Sequence, residues 1–128
     1  MEIEPPEQAF DRLAPKLQAS LDYALKTHTI ADVKRLVEEG KMHFWPIGDS
    51  ILITELITFP QMKILHIFIG GGDADELATA LPSLRRWAKQ LGCSHVAFLG
   101  REGWKNRLRK LGWTDHHCSY FSIPVDPT

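Results

Sequence analysis

The feature that most constrains this chain is a change of period near its middle. Residues 41–72, KMHFWPIGDSILITELITFPQMKILHIFIGGG, are rich in β-branched and aromatic side chains and are broken at Gly48-Asp49 and at Pro60-Gln61. Those breaks are turn signals at hairpin spacing. The stretch predicts three antiparallel strands, near 41–47, 50–58 and 62–69. The third, MKILHIFI, is almost wholly apolar, as expected of a strand covered on both faces.

Helical patterns flank this block. Residues 1–6, MEIEPP, read as an extended lead-in, because proline is not tolerated in a helix interior. In EQAFDRLAPKLQASLDYALKT, Phe10, Leu13, Leu17, Leu21 and Leu25 lie near helical spacing, and Pro15 is expected to kink the run or divide it in two. Thr29 and Asp32 have the spacing of a capping box and open a second helix, IADVKRLVEEG, with Ile30, Val33, Leu36 and Val37 as its stripe and Gly40 as its stop. After Gly70, Gly71 and Gly72, the run DADELATALPSLRRWAKQLG predicts a helix capped by Asp73 or Asp75. It would be buried through Leu77, Leu81, Leu84, Trp87, Ala88 and Leu91, and kinked at Pro82. CSHVAFLG then reads as a short buried strand. REGWKNRLRKLG reads as a helix with Trp104, Leu108 and Leu111 turned inward, and CSYFSIPV as a final strand. The order is α, α, β, β, β, α, β, α, β. The strand–helix–strand step across 62–99 predicts a parallel pair within an otherwise antiparallel sheet, a mixed α/β (α+β) fold.

A chain of 128 residues is expected to form one domain, here an N-terminal helical segment, 1–27, and a main body, 28–128. The formal net charge is −1, so no overall field draws it to nucleic acid or to a membrane. The charge is unevenly placed: Glu2, Glu4, Glu7 and Asp11 make the start acidic, and residues 101–110 are basic. That asymmetry allows contact between the two, within the chain or between copies, or contact with a protein partner. Two cysteines, Cys93 and Cys118, match no zinc or redox spacing and read as reduced thiols. No apolar run reaches membrane-spanning length, and the acidic, proline-containing start is unlike a signal peptide. The expectation is a cytoplasmic protein without a membrane segment.

The order of elements, with the tail WAKQLGCSHVAFLGREGWKNRLRKLGW, resembles the GNAT acyltransferase superfamily over roughly residues 28–125. The run Gly100, Arg101, Gly103 and Trp104 is similar to small GNAT-like proteins of tailed phages and prophages. The resemblance implies a GNAT-like fold, with acetyl-CoA as cofactor between the two splayed parallel strands. It places the pyrophosphate on backbone from Ile69 through Gly70, Gly71 and Gly72, with Arg101 nearby. It implies N-acetyl transfer to an amine, with Glu55 and His66 as candidate bases and Tyr120 as a candidate proton donor, Cys118 or His117 being further candidates. The family's Arg/Gln-x-x-Gly-x-Gly/Ala signature is missing. Counted back from WAKQLG, its glycines fall near Asp73, Asp75 and Leu77, and Leu108 stands at the position of the usual tyrosine. The alternative is a non-catalytic protein of the same fold that acts by docking in a phage particle or its assembly.

Each candidate also has a plain structural reading. The three glycines allow a tight strand-to-helix turn as readily as an anion cradle. His66, amid ILHIFI, reads first as a hydrogen-bonded core or edge residue, and Glu55 first as a solvated strand position. His116, His117 and Cys118 with Cys93 and His95 are metal-ligand types, but their spacing supports no site. Lys105, Arg107, Arg109 and Lys110 read as a solvated face, or as a contact to a phosphate or an acidic protein. Nucleic acid is the weakest partner, because the tryptophans that would stack on bases are needed for packing. Trp45, Trp87 and Trp113 read as core anchors, Trp45 also as a pocket wall.

Overall fold

The computed structural model describes residues 4–23, 25–100 and 102–126. Helix α1, Pro6–Leu13, starts on the second proline, which occupies the first turn. A missing N–H costs nothing there, so the proline expected to keep the chain extended begins the helix instead. Pro15 divides the run as anticipated. It opens a 3₁₀ turn, Ala14–Leu17, which leads into α2, Gln18–Leu21. The helical pattern ends before Leu25, which is exposed. Helix α3, Ile30–Glu38, carries the capping box: Thr29 Oγ1 accepts the Asp32 N–H at 3.2 Å, and Asp32 Oδ2 accepts the Thr29 N–H at 2.9 Å.

Strands β1, His43–Ile47, β2, Ser50–Thr58, and β3, Lys63–Gly71, form the antiparallel meander, and β4, His95–Ala97, joins β3 in parallel. The sheet order is β1-β2-β3-β4. Between β3 and β4 lie α4, Ala74–Ala78, and α5, Leu81–Gln90. Pro82 stands in the first turn of α5, so it starts a second helix rather than kinking a single one. A 3₁₀ turn, Glu102–Trp104, leads into α6, Lys105–Lys110. None of the helices described is long and apolar enough to cross a membrane.

Two apolar clusters hold the layers together. On one face of the sheet, Phe10, Leu13, Leu17, Leu21 and Val33 pack with Met42, Ile51 and Ile53. On the other, Leu84 and Ala88 of α5 pack with Leu52 and Leu65. Fully burying side chains of this size stabilises by about 1.5–3 kcal/mol each. The N-terminal helices are thus part of the sheet's own core. Their acidic residues pair locally, Glu4 with Arg12 and Asp11 with Lys34, at 3.0 and 2.9 Å.

The C-terminal part departs from the sequence expectation. Leu111 is exposed, whereas Trp104 and Leu108 are half-buried. The expected final strand does not form: residues 114–126 carry no helix or strand and are exposed throughout. β4 is short, pairing with β3 over three rungs, and among the described residues no strand lies on its outer side.

Candidate functional site

The meander register sets Glu55 of β2 directly opposite His66 of β3. Directly opposed side chains on one face of a sheet meet. Here His66 Nδ1 lies 3.1 Å from Glu55 Oε1. A carboxylate can only accept, so Nδ1 carries the proton, and in the neutral ring the lone pair is then on Nε2. The two side chains are 23% and 27% exposed, open enough for a solute to reach them. Their position in the sheet is specific. The parallel ladder runs through Ile64–His95, Leu65–Val96 and His66–Ala97 and stops. Beyond His66, β3 continues to Gly71 while β4 ends, so the pair sits at the fork where the two strands part.

The other site residues named from the sequence scatter. Tyr120 lies on the irregular C-terminal segment, 65% exposed, rather than on a strand beside the fork. Its alternating neighbours suggest a strand, and among the described residues that alternation has no partner strand. Arg101 lies outside the described residues. Ile69 pairs with Ile53 inside the β2–β3 ladder, next to a β-bulge.

The glycines are held by the chain itself. The Gly70 carbonyl accepts the Ser20 hydroxyl at 2.7 Å. A Cβ on Gly71 would strike the Lys16 backbone, and one on Gly72 would strike Ser50. Gly72 also has φ 116°, a conformation open to glycine and strained for other residues. These three glycines therefore let α2, the 3₁₀ turn and β2 pack closely on the end of β3.

The start of α4 is occupied in the same way. Asp73 Oδ1 accepts the Glu76 N–H at 2.9 Å, and the Asp73 N–H donates to Ser50 Oγ at 2.9 Å. Ser50 in turn donates to the Glu76 carboxylate, which also covers Gly48. Arg107 of α6 is paired with Asp75. Ser50 and Asp73 thus take the N–H groups of Asp73 and Glu76, and the charge of Asp73 and Glu76 repels an anion there. The residues present do not fit the phosphate end of acetyl-CoA in the place the resemblance implies.

A second polar cluster, not foreseen from the sequence, lies on the α5 side of the sheet. Thr54, fully buried, accepts the Trp45 indole N–H at 3.0 Å and meets His43 Nδ1 at 3.1 Å. Trp87 packs edge-on against both rings, with centroids 4.7 Å from His43 and 5.3 Å from Trp45. Burial pushes His43 below the ordinary histidine range, partly offset by its bond to Thr54 and the charge of Glu55. The signal was present as His43 and Trp45 two apart on a strand, but only the register brings Thr54 between them. Trp45 and Trp87 are packing anchors here, as is Trp113 against Phe98 at 5.1 Å.

No family model matches the sequence, and no curated protein matches it. Solved structures do match by shape. A probable acetyltransferase superposes with TM-score 0.68 at 8% identity, covering 98% of this chain and 99% of that one. An aminoglycoside acetyltransferase from an uncultured soil metagenomic sample, in complex with sisomicin, gives TM-score 0.64 at 9% identity, covering 91% and 88%. An acetyltransferase from Trypanosoma brucei gives 0.54 at 14%, covering 87% and 94%. The chain therefore has a GNAT-like acetyltransferase fold.

Proposed function

We propose that this chain is an acyl-group transferase acting on an amine, with His66 as proton acceptor and Glu55 as its orienting partner. The observation that carries this reading is the His66–Glu55 contact at 3.1 Å at the fork of the parallel strands. Glu55 fixes the ring with Nδ1 protonated, so Nε2 can take a proton from an amine as its nitrogen becomes nucleophilic. The carboxylate then stabilises the imidazolium that forms. The acetyltransferase neighbours support acyl transfer as the reaction class. The acidic start of α4 argues for a donor held by contacts other than a pyrophosphate cradle. A phage or prophage setting is supported by the sequence resemblance around Gly100 and Trp104.

The test is an amine acetylation assay with two thioester donors, acetyl-CoA and acetyl-pantetheine, followed by mass spectrometry of a panel of amines. Product should form, and His66→Gln should lower the rate by about 10²–10⁴-fold, the usual worth of a positioned base. Glu55→Gln should lower it less, with the melting temperature of each variant little changed. Absence of product with both donors, or full activity in His66→Gln, would sink the reading.

A further inference from the structure

The contact between Glu55 and His66 depends on one extra residue in β3. On one rung of the β2–β3 ladder Ile53 faces Ile69, and on the next Thr54 faces Ile67, so Phe68 has no opposite number. It is the additional residue of a β-bulge, a device that re-aims the side chains beyond it. Phe68 and Ile69 accordingly pack against the same apolar cluster, under the N-terminal helices, although they are adjacent in the chain. Had the ladder continued from Ile53–Ile69 without the bulge, Glu55 would face Ile67 and His66 would face Leu56. A one-residue slip also turns a side chain to the other face, so His66 would lie on the α5 side of the sheet. The bulge thus sets the histidine beside its carboxylate.

Phe68 is held from outside the sheet. The His28 ring stands edge-on to it, with centroids 4.7 Å apart and an interplanar angle of 62°. His28 is itself fixed. Its Nδ1 meets the Thr27 hydroxyl at 2.7 Å, and the next residue, Thr29, is bonded through both its side chain and its N–H to Asp32. Both rings are half-buried. An edge-to-face ring pair contributes beyond the area it buries. We propose that His28 is a positioning residue for the Glu55–His66 pair, acting through Phe68 to hold the bulge in place. This role rests on the reading of that pair as the proton-accepting site, and the geometry of the pair can be measured without turnover.

Long-range proton–nitrogen NMR correlation of the histidine rings tests this, in mildly alkaline solution where an ordinary histidine is neutral. His66 should be protonated on Nδ1 in the wild-type chain. His28→Ala and Phe68→Ala should each bring up the form protonated on Nε2. His28→Phe, which keeps an edge-on ring, should restore the wild-type tautomer. Leu36→Ala loosens the same cluster from α3 without removing the ring contact, and should leave the tautomer unchanged. In the acetylation assay His28→Ala should lower kcat by about 10-fold at unchanged KM, less than the roughly 10²-fold that a misplacement near 1 Å can cost. A tautomer unmoved in His28→Ala overturns the proposal, whether or not Phe68→Ala folds. So does an equal change in Leu36→Ala, or a failure of His28→Phe to restore the wild-type form. A wild-type chain that acetylates nothing while the tautomer responds as expected removes the transfer reading and leaves the positioning by His28 standing.

Discussion

The first helices and the last segment are built from similar residues and end in opposite surroundings. Phe10, Leu13, Leu17 and Leu21 are all buried, whereas Phe121, Ile123 and Val125 all face water. Each set has regular apolar spacing, helical in one and alternating in the other. The difference is the receiving surface. The helical stripe meets Ile51 and Ile53 of a long central strand in the same chain, while no described element covers the alternating segment. Periodicity states which face must be covered, and it is silent on what covers it.

The largest effect should come from the buried set. Leu17→Ala removes a side chain with no solvent exposure and should cost about 2–5 kcal/mol in urea unfolding. A cost near zero would show that the N-terminal helices are not part of the core. Thr54→Val keeps shape but takes the partner from the Trp45 indole and from His43, and should cost about 1–3 kcal/mol. A neutral result would mean that water replaces the hydroxyl.

A pH effect follows from His43. Its folded form holds a proton less readily than the unfolded chain, so the unfolded state binds more protons as the medium turns acid. The stability due to neutral His43 is therefore complete above the ordinary histidine value of 6.5 and is lost as pH falls below it, through the lower folded value. Urea midpoints measured from neutral to mildly acid pH should decline, and His43→Phe should flatten the decline. An unchanged slope in that variant would assign the effect to other groups. The smallest change belongs to the last segment: Phe121→Ser should alter stability by no more than about 0.5 kcal/mol. A loss comparable to Leu17→Ala would place that segment in its own domain's core and erase the contrast.

Much of the fold was legible in local signals. The meander, both of its turns, the Thr29–Asp32 capping box and the parallel step all follow from period, turn residues and caps, which act over a few neighbouring positions. The misreadings have a common cause. Pro6 and Pro82 begin helices where a break or kink was anticipated, because the same residue serves a first turn and disrupts an interior. The candidate site was only half legible. Glu55 and His66 were named as separate candidates on neighbouring strands, but a shift of one residue in register would have turned them to opposite faces. The acids at 73 and 75 were already visible as a poor setting for a phosphate. The part played by Glu76, reaching across to Ser50, depends on how α4 sits against β2.

By itself, then, the sequence determined the class of element at most positions and the parallel step that makes a GNAT-like sheet. It also placed acidic residues, Asp73, Asp75 and Glu76, directly after the three glycines. These properties reside in single residues and their near neighbours. The tertiary structure decided that His66 and Glu55 meet at the strand fork, that Thr54 links His43 with Trp45, and that Gly70 and Gly71 serve packing against α2 and its 3₁₀ turn. It also decided that the last apolar segment stays uncovered by its own chain. Each of these depends on which surfaces distant segments present to one another, and that is set by register and packing rather than by local spacing.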